Sequence, residues 1–346
     1  MKVRQRPSVL RVLHVGVGNR GVWPLELCTK DTGFVPAALC DVRESALREA
    51  RERTGLPESV CFEKFTEALA HTGPNIDCVI ICAPTIFHVP FASQAVEAGL
   101  PVLVEKGMGP DWVSARHLAT ITSDRGGHVC VVQNYRYNPL ERTIRAALVD
   151  PKHPAHPGKV HLVTYSHQRV RPEPRTLTYP FASVWDMSCH HFDNMSFWLG
   201  PIYSMTAQSF KASWSAYSHN TDTTAHIRFE SGVRGHYIHT HDAARGSLEI
   251  QIHGERGALV YTEENGLTFN ARPLEQFGSS PREPVPLVEA HGEADLLRDF
   301  YQYIHGGVEP GVSARNNLET MAACEMMVRS VTERREYFRK ELDIGF

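Results

Sequence analysis

One stretch near the start of the chain restricts its fold more than any other. The apolar run Val12-Leu13-His14-Val15 passes directly into Gly16-Val17-Gly18-Asn19-Arg20-Gly21, a G-x-G-x-x-G spacing, and a helix-compatible segment follows. A buried strand entering a glycine-rich turn and then a helix is the opening of a βαβ unit that binds dinucleotides. In such a unit Gly16 allows the tight turn, Gly18 lets a pyrophosphate approach the backbone, and Gly21 lets the helix pack closely on the strand. The N–H groups and positive dipole end of the helix then face the phosphates. The spacing does not decide the matter alone, because any glycine-rich strand-to-helix turn can produce it. The chain downstream has to agree.

It does. Residues 23–30 read as helix, with Pro24 in the first turn, and residues 35–39 read as a second buried strand ending at Asp41. An acid about 20 positions beyond the glycines is where such a site holds the adenosine ribose. Asp41 would accept from the ribose hydroxyls and repel a 2′-phosphate, which favours NAD. Arg43 softens that preference and keeps NADP open, and Asp41 can also cap the helix expected over 44–53. An apolar run at 76–82, a helix over 88–98, the strand Val102-Leu103-Val104, a helix over 111–125 and a strand at 129–132 continue the alternation. Continuous apolar strands separated by helices mean a parallel sheet covered on both faces, an α/β Rossmann domain. Ligands bind at the carboxyl edge of such a sheet. The strand ends there are Gly16, Asp41, Ala83-Pro84-Thr85, Glu105-Lys106 and Gln133-Asn134-Tyr135-Arg136.

Beyond a Pro-rich stretch at 150–158 the pattern changes to alternating segments near 160–167, 204–214, 223–230, 233–241, 248–253 and 258–262. Turns at Ser231-Gly232 and Asn265-Gly266 separate neighbours as in hairpins. Residues 185–199, 293–304 and 313–334 read as helices. This predicts an α+β domain with an open, largely antiparallel sheet, and a division into residues 1–135 and 136–346.

At 346 residues, with 36 basic and 39 acidic side chains and a formal charge of −3, the chain carries no electrostatic footprint for nucleic acid. No apolar run approaches the roughly 20 residues of a membrane span, and residues 1–7 lead straight into a strand pattern. A cytoplasmic protein is expected. The eight cysteines include no C-x-x-C pair, so neither disulfides nor cysteine-held zinc is expected. Among nineteen histidines, His190 with His191 and Asp193, and His239 with His241, invite a metal reading. The second pair would share a strand face, but no third ligand at a familiar spacing accompanies it. Solvated or interface histidines, and no metal, are the expectation.

The segment Asp186-Met187-Ser188-Cys189-His190-His191-Phe192-Asp193, followed by Trp198-Leu199-Gly200, matches an Asp-x-x-x-His-x-x-Asp pattern. Together with Glu105-Lys106-Gly107 and Gln133-Asn134-Tyr135-Arg136-Tyr137-Asn138-Pro139 it resembles the Gfo/Idh/MocA oxidoreductases over essentially the whole chain. Residues four apart on a helix share a face, so Asp186 and His190 can point together, with Asp193 continuing that face. The resemblance implies that His190 is the general base on oxidation and the acid on reduction. It implies that Lys106 donates to the reacting oxygen and that Asp186 orients the substrate or the imidazole. Arg136 and Asp193 join these three at the substrate. The implied cofactor set is Gly16, Gly18, Asn19, Arg20, Gly21, Asp41, Arg43, Ala83, Pro84, Thr85, His88, Glu105, Lys106 and Asn134. Gly107 stands where the family has proline, which removes a rigid turn after Lys106. Arg169, Arg171 and Arg175 precede the helix and suit an acidic sugar, a phosphate or a solvated loop.

The function implied is NAD(P)-dependent hydride transfer at a carbinol carbon of a sugar, cyclitol or related polyol. Two alternatives share the resemblance: a glycosidase that oxidises its sugar transiently with bound NAD, and a non-catalytic NAD-binding sensor. The open sheet, with Tyr237, His239 and His241 expected on its outer face, resembles the surface through which family members form homodimers or homotetramers.

Overall fold

The strands of the first 133 residues are short apolar runs, and only a sheet covered on both faces can hide them. The computed structural model describes residues 7–28, 30, 32–72, 75–173, 179–274 and 287–344. Its first unit contains β1 (Leu10–Val15), α1 (Val22–Cys28), β2 (Phe34–Cys40), α2 (Glu44–Thr54), β3 (Cys61–Phe62) and α3 (Phe65–Thr72). These are followed by β4 (Cys78–Ile81), α4 (His88–Glu97), β5 (Val102–Val104), α5 (Trp112–Asp124) and β6 (Val129–Val131). The strand order is β3-β2-β1-β4-β5-β6, and every neighbouring pair is parallel. This is the doubly wound order in which a dinucleotide crosses the sheet where the order reverses, beside β1. Capping fixes the helix ends. Asp111 Oδ1 accepts from Ser114 N at 2.7 Å to start α5, and Gly55, at φ +71°, ends α2 in the left-handed region.

The second unit contains α6 (Pro139–Val149), β7 (Val160–Val170), α7 (Cys189–Leu199), β8 (Ile202–Phe210), β9 (Asp222–Phe229) and β10 (Arg234–Thr240). Then come β11 (Asp242–Gly254), β12 (Gly257–Thr262), β13 (Gly266–Phe269) and β14 (Arg272–Pro273). The helices α8 (Glu293–Ile304) and α9 (Ala314–Glu333) and the short β15 (Tyr337–Phe338) complete the chain order. The sheet order is β14-β13-β12-β11-β7-β10-β9-β8-β15. It is mostly antiparallel, with β7 and β10 running parallel.

The outer-face expectation for this sheet is overturned. Tyr237, His239 and His241 do share a face of the β10 segment, but they are buried. β10 lies between β7 and β9, and this face packs against α7: Phe192 meets the Tyr237 ring with centroids 5.1 Å apart. The opposite face of β10 carries Arg234, His236 and Ile238, all exposed. Alternation identified the shared face; it could not say which side the helix covers.

The units are not successive segments. Contacts place the described residues up to Gln133 together with Glu293–Leu318, and those of Asn134–Gly292 with the described residues after Leu318. A single cut after Tyr135 therefore does not describe the chain. The physical reason lies in α8, whose Leu296, Leu297, Phe300 and Ile304 are buried. Phe300 stacks on Phe34 of β2 with centroids 6.0 Å apart. Val131 N donates to Val312 O at 2.8 Å, so the returning chain covers the exposed edge of β6. Truncating Phe300 to alanine should cost about 3–5 kcal/mol of stability, measured by urea unfolding of the whole chain. A loss below about 1 kcal/mol would show that this packing is dispensable.

Candidate functional site

In the first unit the glycine turn is held by contacts that leave no space for side chains. Gly16 adopts φ +77°, and a Cβ there would stand 2.7 Å from the backbone of Cys82 and Ala83. A Cβ on Gly21 would stand 1.8 Å from Gly16 O. Asn19, at φ +47°, takes the left-handed conformation that asparagine tolerates. Beside Gly18 lies the end of the Arg43 side chain, in the space a Cβ would take.

Asp41, at the end of β2, is buried and accepts from Val17 N at 3.0 Å and from Arg43 N at 2.9 Å. Arg43 Nε approaches the same carboxylate at 3.3 Å. The acid ties the glycine turn to the β2 end and does not cap α2, whose N-cap position is Arg43 itself. Glu105, after β5, is also buried. Its Oε1 accepts from Arg20 Nη2 at 2.8 Å and from Trp23 Nε1 at 3.2 Å. Its Oε2 accepts from Lys106 N at 3.2 Å. Glu105 thus joins the β5 end to the first turn of α1, and Trp23 is a partner that the sequence did not single out. Lys106 itself is half-buried.

His88, of the implied cofactor set, is engaged on both ring nitrogens. It is 1 % exposed, with Nδ1 2.8 Å from Gly107 O and Nε2 2.8 Å from Ala83 O. Burial lowers its pKa while the two carbonyls pull it up, with a net lowering. The ring therefore sits inside the unit, bridging the loops after β4 and β5. Its Nδ1 contact to Gly107 O ties the turn after Lys106 to α4.

In the second unit, α7 carries the remaining residues. A π turn at Val184–Ser188 precedes it, with Cys189 N donating to Val184 O, so the helical register expected from 185 is one residue longer per turn there. Asp186 lies in this π turn and its Oδ2 accepts from Arg171 Nη1 at 3.1 Å. His190 is 4 % exposed and stacks on Tyr135, with centroids 4.1 Å apart and planes 9° from parallel. Asp193 is 1 % exposed. It receives Arg136 through Nε at 2.8 Å and Nη2 at 2.5 Å, and Thr320 Oγ1 at 3.0 Å. Arg136 and Asp193, expected at the substrate, are thus bound to one another as a two-toothed buried pair. The pair fixes the segment Asn134–Tyr137 against α7, and that segment carries Tyr135 to the His190 ring. Arg169 belongs to β7 and places Nη1 2.5 Å from Met187 Sδ, while Arg175 lies outside the described residues.

α7 is further tied to α6. Asn194 Nδ2 donates to Glu141 Oε1 at 3.3 Å, and Trp198 Nε1 donates to Glu141 O at 3.1 Å. Burial raises the Glu141 carboxyl from 4.5 to about 7. Over that interval the folded chain keeps a proton that the unfolded chain has released, so stability falls as pH rises from 4.5 to about 7. Relative to Glu141→Gln, the native chain should lose up to about 3 kcal/mol between pH 4.5 and pH 8. Urea unfolding of both at several pH values checks this; parallel profiles would refute it.

Comparison with known proteins agrees with both units. A family model described as an oxidoreductase family with an NAD-binding Rossmann fold matches residues 10–133. One described as the C-terminal alpha/beta domain of an oxidoreductase family matches residues 158–338. The chain is 25% identical to the inositol 2-dehydrogenase of Rhizobium meliloti over 271 residues, 76% of this chain and 80% of that protein. An alpha-N-acetylgalactosaminidase of Bacteroides fragilis is 26% identical over 148 residues, 39% of this chain and 33% of that protein. The crystal structure of the WlbA dehydrogenase of Bordetella pertussis, solved with NADH and UDP-GlcNAcA, superposes with a TM-score of 0.78 at 18% identity. It covers 96% of this chain and 99% of that one.

Proposed function

Since the chain belongs to the Gfo/Idh/MocA oxidoreductases, which bind NAD on a Rossmann fold, we propose that it transfers a hydride between nicotinamide and a carbinol carbon of a sugar, cyclitol or related polyol. The observation that carries this reading is the setting of His190. It is buried, stacked flat on Tyr135, and mounted on a helix pinned by the Arg136–Asp193 pair. An imidazole titrates near neutrality and suits proton transfer to and from a hydroxyl.

NAD, when bound, supplies the hydride acceptor in oxidation and the donor in reduction. The turn at Gly16 and Gly21 and the carboxylate of Asp41 would hold it, with Asp41 toward the adenosine ribose. Arg43, already paired with Asp41, gives a 2′-phosphate a counter-charge, so NADP is accommodated as a second cofactor. Glu105, Arg20 and Trp23 keep the turn and the β5 end in fixed register. In oxidation His190 removes the hydroxyl proton as the carbon loses its hydride, and in reduction it returns that proton. Lys106 donates to the reacting oxygen and stabilises its developing charge. Asp186 orients the substrate or the imidazole. Arg136 and Asp193 act through their pairing, as positioning residues.

His190→Ala and Lys106→Ala should each lower turnover by roughly 10²–10⁴-fold while NADH affinity stays near that of the native chain. The measurement is absorbance of reduced cofactor with sugars, sugar acids and inositols, each tried with NAD and NADP. Native-like turnover in both variants would remove the mechanism. Reduced cofactor in proportion to product identifies a dehydrogenase, whereas cofactor regenerated at every cycle identifies the glycosidase alternative. That alternative has the weaker support, since the glycosidase likeness spans only 39% of this chain. A sensor without catalysis is disfavoured by the retained Lys106, Asp186 and His190.

The proposal extends to a homodimer or homotetramer formed through the open sheet. Its support is the uncovered face, where Ile238 is 42% and Phe210 51% exposed. Sedimentation should give a multiple of the chain mass at micromolar concentration, and a monomer alone would refute it. We place the enzyme in the cytoplasm, where its nicotinamide substrate is held. No helix among the described residues is long and apolar enough to cross a membrane.

A further inference from the structure

Behind α7, on the face turned from His190, three imidazoles converge from three separate elements: His167 of β7, His191 of α7 and His239 of β10. One nitrogen from each lies within 4.8 Å of the others. No spacing in the chain announces this group, because its members are distant in sequence. The expectation of no metal considered His239 together with His241; the fold brings His239 to His167 and His191 instead. We propose that His167, His191 and His239 form a binding site for a divalent transition-metal ion of the zinc class.

The hydrogen bonds prepare the ligand atoms. His239 Nδ1 lies 2.8 Å from the carbonyl oxygen of His167, which can only accept. Nδ1 therefore carries the proton, and the lone pair is on Nε2. That nitrogen is buried and has no hydrogen-bond partner among the described residues, on a side chain 1 % exposed. His191 Nδ1 lies 2.7 Å from Tyr237 Oη, whose own proton goes to Ser188 Oγ at 2.7 Å. His191 thus donates through Nδ1 and presents the Nε2 lone pair. An outer nitrogen bonded to an oxygen, with the inner one bare, is the arrangement that orients metal-bound histidines. The third ligand, His167 Nδ1, lies 2.8 Å from His191 Nε2. One proton now sits between them, and a shift of His167 to its Nε2–H tautomer frees Nδ1 without net proton release.

The geometry asks for little rearrangement. Ligands about 2.0–2.1 Å from a tetrahedral ion stand roughly 3.4 Å apart, so the His167–His191 pair opens slightly and His239 closes in. Imidazole ligands select zinc, copper and nickel over magnesium or calcium. Three neutral imidazoles leave one tetrahedral position for water or hydroxide. The partly exposed His167 gives access from solvent. The neighbouring cations Arg169 and Arg171 oppose the ion. Arg171 is paired with Asp186 at 3.1 Å, and a hydroxide as fourth ligand would offset Arg169. His241, next along the strand with its ring 4.9 Å from His239, stands outside the three-nitrogen group. A bound ion would clamp α7 to the sheet, one residue from His190.

The test uses the full chain, stripped with a chelator and titrated with zinc chloride or cobalt(II) chloride. The native chain should bind one equivalent at micromolar or lower concentration, with the intense visible bands of tetrahedral cobalt. His239→Ala and His167→Ala should each weaken binding by about 100-fold or more, while His236→Ala, on the opposite sheet face, leaves it unchanged. No binding by the native chain, equal binding by His239→Ala, or loss in His236→Ala would overturn the proposal. Should His239→Ala fail to fold, the cobalt spectrum of the native chain decides: tetrahedral bands support the site, and a pale octahedral spectrum refutes it. Binding is read without substrate or NAD, so the result is independent of the proposed reaction.

Discussion

The approach of Gly21 to Gly16 is the contact on which the first unit rests. A Cβ on Gly21 would stand 1.8 Å from Gly16 O, and one on Gly16 would strike Cys82 and Ala83. The turn after β1 is therefore pressed between the start of α1 and the end of β4, with only backbone to spare. Everything at the carboxyl edge is measured from that path. Val17 N reaches Asp41, Arg20 and Trp23 reach Glu105, and His88 spans the next two loops. These are mostly contacts to buried carboxylates and carbonyls, where a displaced partner would leave an uncompensated polar group.

The second unit is built on the opposite plan, with precision supplied by side chains. α7 carries His190 against Tyr135 on one side and His191 against the sheet tyrosines on the other. Asp193 holds Arg136, which also lies 5.1 Å from the Phe197 ring centroid. Consecutive residues of one helix thus serve the proposed reaction, the imidazole cluster and the interior. The π turn at Val184–Ser188 delivers the chain into this helix, and such turns often occur beside functional residues.

Much of this was legible in the chain. The parallel sheet followed from apolar runs such as Val102-Leu103-Val104, which is β5 to the residue, and Glu293–Ile304 is α8 as read. The stretches Cys61–Phe62 and Tyr337–Phe338 were not legible as strands, because two residues show no period and pair only through their neighbours. The π turn escaped because a helical pattern with one extra residue per turn looks the same over five positions. At the site, spacing pointed to Asp41 and the family resemblance to His190 and Lys106, but neither told which side chains their neighbours would engage. His88 and Asp193 are polar residues that the fold engages with protein partners. Trp23, Tyr135 and the meeting of His167 with His191 and His239 depend on elements brought together by the sheets, which local spacing does not encode.

The return of the chain at Glu293–Leu318 to the first unit has a consequence for synthesis. Residues up to Gln133 leave the ribosome with the β6 edge unpaired and Phe34 lacking its Phe300 neighbour. Some 160 residues of the second unit must follow before these partners emerge, a long loop to close. The nucleotide-binding unit starts first and is completed only after most of the second unit has been made. During that interval the nascent chain exposes an open parallel edge, the kind of surface that pairs with other chains and that chaperones cover.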